Sequence, residues 1–394
     1  MVFNLFPRSK WLRDTQDLAA QTRQAGPARI FLTGATGFVG GAIAAALADT
    51  GNFKEMLFLV RAKSAAEGAQ RVRQSIARFT QPGAPPPEIS ERQVIVADLS
   101  DADAFADPRL DTVSHVIHSA AITSFADRPD IWTVNVDATM RLAERFSRVA
   151  GLRRFVYVGT AMACGVARGP VVTETLHLPL ERAHLVPYTA SKARAENQLR
   201  ERFPELPLVA LRPSIIVGHS ALGCKPSASI FWLLKVVSQL NRFVCPPSAC
   251  LDIVPVDYCA STIVALTLKP TLAFPVYHIS AGQDGSATVG ELLQAFRQTE
   301  ASGQGQPYQR VTEAALKQMA QSFGATAQET INTRMLHKAL MLYGRFSRLN
   351  YIFDQRRILS EGMPPAPSFL DYLGRCDHSA RGLTLKAQMA CDFK

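Results

Sequence analysis

Long apolar runs are missing from this 394-residue chain, and none approaches the roughly 18 residues that a membrane-crossing helix needs. A secretory leader is not expected, because Arg8, Lys10, Arg13 and Asp14 break up the apolar residues after Met1. The seven cysteines (Cys164, Cys224, Cys245, Cys250, Cys259, Cys376 and Cys391) include no CxxC pair, and their number is odd. Reduced thiols in a cytoplasmic setting are therefore expected, rather than a disulfide framework. The eight histidines fall at no metal-ligand spacing, so no metal is expected. No internal repeat is visible. Charged residues are scarce at 19% against 47% hydrophobic, a balance that excludes disorder as the main state. The net charge of 43 − 33 = +10 suits anionic ligands or surfaces, but it is spread along the chain and accompanies no nucleic-acid motif.

Short apolar runs alternate with helical stretches. Ala28–Thr33, Met56–Val60, Gln93–Ala97, Val113–His118, Phe155–Val158 and Leu208–Leu211 read as strands. Helices are predicted over 38–48, 64–79, 130–150 and 187–202. This order predicts an α/β fold, a Rossmann-type doubly wound parallel sheet. Residues 1–27 read as a leader and 28–213 as the dinucleotide-binding domain with the catalytic residues. Residues 214–394 read as a smaller, mostly C-terminal substrate lobe, with some segments returning to the sheet. In that lobe an apolar stretch, Ala228–Leu240, suits contact with a greasy ligand or ordinary core, and helices are expected near 257–268, 288–298 and 326–342. The leader mixes Val2, Phe3, Leu5, Phe6, Trp11 and Leu12 with basic residues, which suits either packing against the fold or peripheral contact with an anionic membrane. Oligomeric state is left open.

The first strand runs into Thr33-Gly34-Ala35-Thr36-Gly37-Phe38-Val39-Gly40. Gly34 permits a tight strand-to-helix turn, Gly37 a close approach by pyrophosphate, and Gly40 close packing of helix on sheet. The residues that follow the strand and open the helix, Thr33, Thr36 and Phe38 among them, belong to the same turn. The second strand ends in Val60-Arg61-Ala62-Lys63, with no acid before Glu67 to take a ribose 2′-hydroxyl. Arg61, assisted by Lys63 or Arg71, suits a 2′-phosphate, which points to NADPH; a solvated loop cation is the other reading of Arg61. Asp98-Leu99 after the third strand suits the adenine amino group or a solvated turn. His118-Ser119-Ala120-Ala121 closes the fourth strand with side chains small enough for a cofactor to lie close.

Tyr188 and Lys192 are four residues apart at the start of a predicted helix and so share a face. A neighbouring ammonium is expected to lower the phenol pKa, letting Tyr188 donate a proton to a carbonyl oxygen. Thr160, at the end of the fifth strand, is placed to hydrogen-bond that oxygen or to cap a turn. Asn135 is expected to hold a helix kink and a water leading to Lys192. Cys164 reads as a packed thiol rather than a nucleophile.

Together TGATGFVG, DL, HSAA, NVDAT, Thr160, YTASK and LRPSIIVG resemble the extended short-chain dehydrogenase/reductase superfamily over about residues 28–280. LFLVRAKSAAEGAQRV at 57–72 is similar to the thioester reductase and fatty acyl-CoA reductase branch, and Tyr351-Ile352-Phe353-Asp354 to a late element of fatty acyl reductases. Gly159-Thr160 departs from the Ser or Ser-Thr usual there. The resemblance implies NADPH-dependent reduction of an acyl thioester, delivered on CoA or an acyl carrier protein, to an aldehyde and in some members to the alcohol. It assigns catalysis to Thr160, Tyr188, Lys192 and Asn135, and adds Pro213 and Ser214 to the cofactor contacts. Two alternatives remain: an extended reductase or epimerase acting on a ketone, steroid or nucleotide sugar, and a non-catalytic dinucleotide sensor.

Overall fold

Side chains alternate between the two faces of a strand, and here both faces are covered. In β1 (Ile30–Thr33), Ile30 and Leu32 pack into one apolar cluster and Phe31 into another. The computed structural model describes residues 28–392 except 49, 81–82, 84, 168, 228, 300–307 and 327–331. The leader expected over 1–27, with its apolar-basic segment, lies outside the described residues.

The further strands of the main sheet are β2 (Leu57–Val60), β3 (Val94–Val96), β4 (His115–His118), β5 (Arg154–Val158), β6 (Leu208–Pro213) and β7 (Val276–Ile279). Their order is β3-β2-β1-β4-β5-β6-β7 and every pairing is parallel. Six strands stand where the apolar runs predict them, shortened or extended by one or two residues. The seventh, Val276–Ile279, is one of the returning segments and was not located by the sequence pattern. The strand order reverses beside β1, whose neighbours are β2 and β4. Such a switch point leaves a crevice at the carboxyl ends of the strands.

Parallel pairing requires crossover helices. Here they are α1 (Phe38–Ala48), α2 (Ala65–Ala77), α3 (Ala138–Ser147) and α4 (Pro187–Arg202). Downstream come α5 (Phe231–Leu240) and α6 (Val256–Leu268). α1 packs against α6 on one face of the sheet, around Ile43, Phe58, Val156 and Ile263. The opposite face is filled by Phe31, Val116, Phe146, Phe155 and Leu199, the last from α4. A separate apolar cluster joins α5 to α7 (Val289–Thr299), α8 (Glu313–Thr326), α9 (Thr333–Leu349) and α10 (Phe369–Ala380), around Trp232, Phe296, Leu316, Leu340 and Tyr372.

The single helix expected over 326–342 is corrected. α8 runs to Thr326, and α9 starts afresh at Thr333, where Asn332 Oδ1 accepts the Met335 amide at 3.0 Å. The cap sets that start, and α9 continues to Leu349 because its inward face repeats through Leu336, Leu340, Gly344 and Ser347. No described helix is long and apolar enough to cross a membrane.

One buried cation joins the central sheet to α6. Arg154 Nη1 donates to the carbonyls of Leu266, Thr267 and Lys269 at 2.6, 2.9 and 2.6 Å. Carbonyls in the last turn of a helix lack intrahelical partners, and a cation there also meets the negative end of the helix dipole. Arg154→Met keeps the stem and strands those carbonyls. It is expected to cost about 2–4 kcal/mol, read as a lower urea midpoint with an unchanged slope.

Candidate active site

The turn after β1 is built without spare room. Gly34 has φ +81°, and a Cβ there would lie 2.7 Å from the Ala120 amide nitrogen. A Cβ on Gly40 would collide with the Gly34 carbonyl. The Gly37 amide donates to that same carbonyl at 2.9 Å. Arg78 Nη2 holds the outside of the turn through the carbonyls of Thr36 and Gly37, at 3.3 and 3.2 Å. The bare backbone and the free amides at the start of α1 therefore face the crevice, an arrangement that fits a pyrophosphate.

A cleft of about 640 Å³ runs from this turn across the carboxyl edge of the sheet. Gly34, Thr36, Gly37, Phe38, Gly40, Arg61, Asp98, Leu99, Ser119, Ala120, Ala121, Thr160, Tyr188 and Ser214 line it. Five sequence candidates, Thr33, Lys63, Asn135, Lys192 and Pro213, do not. At the β2 end, Arg61 is largely exposed and pairs loosely with Asp98 at 3.4 Å. The Asp98 carboxylate accepts from both the hydroxyl and the amide of Ser100, and these bonds, with Arg61, hold it below the usual carboxylate range. Arg71 lines the cleft and donates to the Arg61 carbonyl. The Lys63 side chain is exposed, and its amide donates to Glu67 Oε2 at 2.9 Å, so the second cation at this end is Arg71.

Thr33 turns inward. Its hydroxyl lies 2.8 Å from His118 Nδ1 and accepts the Ala120 amide at 3.2 Å. His118 Nε2 lies 2.9 Å from Thr139 Oγ1, which donates to the Asn135 carbonyl at 2.8 Å. Burial lowers the His118 pKa to about 3, helped by the Lys192 charge, so the ring is neutral.

Asn135 sits in a wide π-turn, Thr133–Asp137, which supplies the expected kink just ahead of α3. Its side-chain amide accepts the Ile122 amide at 2.8 Å and donates to the Ile122 carbonyl at 2.9 Å and to Ser191 Oγ at 3.0 Å. Asn135 thus ties the loop after β4 to α4. The loop reaches over the cleft, where Phe125 stacks near Tyr188, Tyr343 and Phe346, with ring centroids 6.3, 5.6 and 5.8 Å away. Sequence reasoning placed Tyr188 here but missed Phe125, Tyr343 and Phe346. The available signals were a lone aromatic in the polar loop ITSFADRP and an i, i+3 aromatic pair on the amphipathic helix α9.

Thr160 is buried at the end of β5. Its Oγ1 caps the following turn, accepting the Met162 amide at 3.3 Å, and donates to the Pro213 carbonyl at 3.5 Å while lining the cleft. The cap and the cleft position coexist. Cys164, at the end of that turn, is buried and its pKa is raised to about 11, as expected of a packed thiol. Lys192 is buried below the cleft floor, its ammonium 4.5 Å from the centre of the Tyr157 ring. Burial lowers its pKa to about 7, against the pull of Glu196. The expected lowering of the Tyr188 phenol is corrected: burial pushes it up to about 12 and keeps it protonated.

The family model described as "Male sterility protein" matches residues 32–263. "Aldehyde reductase lnaA" of Aspergillus flavus is 28% identical over 300 residues, covering 69% of this chain and 26% of that protein. "Putative fatty acyl-CoA reductase CG8303" of Drosophila melanogaster is 27% identical over 270 residues, covering 58% of this chain and 50% of that protein. The chain thus spans a quarter to a half of the length of these curated relatives. Among solved structures, the terminal R domain from the myxalamid PKS-NRPS pathway superposes with a TM-score of 0.73 at 22% identity, over 94% of this chain and 99% of that one. A thiolation-reductase di-domain from an archaeal non-ribosomal peptide synthetase gives 0.68 at 18% identity, over 93% and 79%. These structural likenesses bear on the fold.

The Lys192 environment sets a pH dependence. The unfolded chain holds its lysine proton up to pH 10.5, whereas the folded chain sheds it at about 7. Between those values the unfolded state binds more protons, so this group makes stability rise with pH; below about 7 the folded state carries a buried ammonium. Lys192→Met is therefore expected to raise the urea midpoint most at pH 6, with the advantage shrinking as pH rises past 7. An advantage independent of pH would contradict the assigned environment.

Proposed function

We propose a function from one premise: the chain belongs to the male sterility protein family, in the thioester reductase and fatty acyl-CoA reductase-like branch of the extended short-chain dehydrogenase/reductases. The proposed activity is NADPH-dependent reduction of an acyl thioester, carried on CoA or an acyl carrier protein, to the aldehyde and onward to the alcohol where the product rebinds. The observation that carries it is one continuous cleft with the glycine turn at one end, the Arg61–Arg71 pair beside β2, and Thr160 and Tyr188 on the wall between β5 and α4. Residues 28–213 then act as the cofactor and catalytic domain, and 214–394 mainly as the substrate lobe.

The glycine turn and the first amides of α1 hold the pyrophosphate. Ser119, Ala120 and Ala121 leave room for the nicotinamide end, and Arg61 and Arg71 take the 2′-phosphate. The exposed Arg61–Asp98 contact is weak enough to exchange for that phosphate. When bound, the dinucleotide supplies hydride to the thioester carbon. Tyr188 Oη, joined by Thr160 Oγ1 once its hydrogen turns from the long 3.5 Å contact with the Pro213 carbonyl, stabilises the carbonyl oxygen as it gains charge, and Tyr188 gives it a proton. Lys192, whose ammonium lies under the site, favours the phenolate that results. The tetrahedral adduct then returns that proton to the Tyr188 phenolate as its C–S bond breaks, forming the aldehyde and expelling the thiolate, with no acyl-enzyme and no role for Cys164.

Three outcomes test this reading. The unmodified protein should oxidise NADPH in preference to NADH with acyl-CoA or acyl-carrier substrates and release free thiol. Arg61→Ala should erode that preference by about 10- to 150-fold, the worth of one charge-assisted contact. Tyr188→Phe should cut turnover about a hundredfold or more while NADPH binding is kept. Turnover of a ketone, steroid or nucleotide sugar with every thioester inert would refute the substrate class. Equal use of NADH and NADPH would refute the Arg61 assignment.

A further inference from the structure

The loop after β4 is tied down at its two ends and not in its middle. Upstream, both backbone groups of Ile122 are held by the Asn135 side-chain amide. Downstream, the Arg128 carbonyl accepts the Ile131 amide at 3.1 Å and the Arg128 side chain pairs with Asp130. Between these ties, residues 123–127 make a single hydrogen bond among the described residues, from the Ala126 amide to Ser124 Oγ at 3.2 Å, and it lies inside the segment. Thr123, Ala126 and Asp127 are exposed. The stretch is fastened by the half-buried ring of Phe125, which meets Tyr188 of α4 on one side and Tyr343 and Phe346 of α9 on the other. All four rings line the cleft. A segment with so few backbone partners opens at low cost, so its closed position is set by those ring contacts. Gly344 lets α9 come close enough to supply them, because a Cβ there would strike Val244 Cγ2.

We infer that Phe125 is a positioning residue for the reaction: a latch that closes this loop over Tyr188 and keeps water off the phenol, aimed by Asn135 through Ile122. The inference rests on the proposed reduction and adds to it the group that dries the site. Two observations favour it over a ring that merely fills space. The Asn135 side chain has two N–H donors, and Ile122 and Ser191 take both, so its hold is on the loop and on α4. Phe125 also spans the gap between α4 and α9, through which bulk water would otherwise reach Tyr188. Burial alone holds the Tyr188 pKa up at about 12, so a phenol kept dry arrives protonated. Contacts to an oxygen that is gaining charge are also stronger where water is excluded.

Hydroxyl-radical labelling of the full chain, read by mass spectrometry, compares Tyr188 with Tyr157, which is buried in β5. Phe125→Ala should speed labelling of Tyr188 about fivefold or more and leave Tyr157 unchanged, while Phe125→Tyr keeps Tyr188 within about twofold of the unmodified protein. Asn135→Ala should expose Tyr188 to the same extent, and the double variant no further, because both act on one loop. With acyl-CoA and NADPH, Phe125→Ala should lower kcat about tenfold or more with KM for NADPH within about twofold, and Phe125→Tyr should restore kcat. Unchanged labelling of Tyr188 in Phe125→Ala, a matching rise at Tyr157, or full kcat from a protein whose Tyr188 is exposed would overturn the latch. Additive exposure in the double variant would overturn the part given to Asn135. If labelling follows the expected pattern while every acyl thioester leaves NADPH unoxidised, the latch stands and the proposed reduction falls.

Discussion

Glu196 and Arg212 meet as a two-pronged ion pair, with Oε2 3.0 Å from Nε and Oε1 2.6 Å from Nη2, and neither side chain reaches solvent. The pair bolts α4 to β6. Tyr188, Lys192 and Glu196 recur every four residues along α4, so the charge that fixes the helix lies on the face that carries the site. Arg212 is the residue before Pro213 and Ser214, where β6 reaches the cleft, and its Nη2 also donates to the Thr175 carbonyl at 2.9 Å. Glu196 is the acid that supports a proton on buried Lys192. Losing either partner would leave a full charge in the interior, a situation that costs about 3–5 kcal/mol. Gly159 lies directly against this pair: a Cβ there would stand at ordinary contact distance, 3.4 Å, from both Arg212 Cγ and Glu196 Oε2.

The late part of the chain supports this frame from outside. Ile352–Phe353 pairs in parallel with Val171–Val172, and the Tyr351 hydroxyl accepts the Ala167 amide and donates to the Gly165 carbonyl. The segment after Thr160 is therefore braced by residues nearly two hundred positions away. Buried Asp252 gathers the amides of Ala281 and Phe353, joining that brace to the end of β7. Burial raises the Asp252 pKa to about 6 despite those bonds. The apolar cluster of the lobe can thus present α9 to the cleft from a fixed base.

How much of this was legible depends on how local the cause is. β1, its glycine turn and α1 are specified by residues adjacent in sequence, and the structure places them as read. Tyr188 and Lys192 share a helix face by spacing alone. What the sequence did not disclose comes from contacts distant along the chain. The choice of Arg71 over Lys63 follows from how α2 lies against the end of β2. The phenol pKa follows from burial, which spacing does not report. β7 is a four-residue run with no periodicity to separate it from its surroundings, and the aromatic roof assembles from a loop and a helix more than two hundred residues apart. The restart of α9 at Asn332 carried a cap residue, but the cap was outweighed by apolar spacing that spans the break.

The hydrogen bonds from Ala120 to Asn135 have a direction. The Asn135 carbonyl can only accept, so the Thr139 hydroxyl spends its proton there and must itself receive one from His118 Nε2. The neutral ring carries one hydrogen, so Nδ1 is bare, and the Thr33 hydroxyl, which accepts the Ala120 amide, gives its own proton to it. The imidazole is thereby fixed in a single tautomer, with hydrogen on Nε2 and a lone pair on Nδ1. Adding a proton at Nδ1 would require the Thr33 hydroxyl, beside the glycine turn, to turn its hydrogen away and accept there instead. The histidine at the end of β4 is thus a one-way connector between the cofactor turn and the kinked helix, and no second orientation of its ring satisfies both threonines.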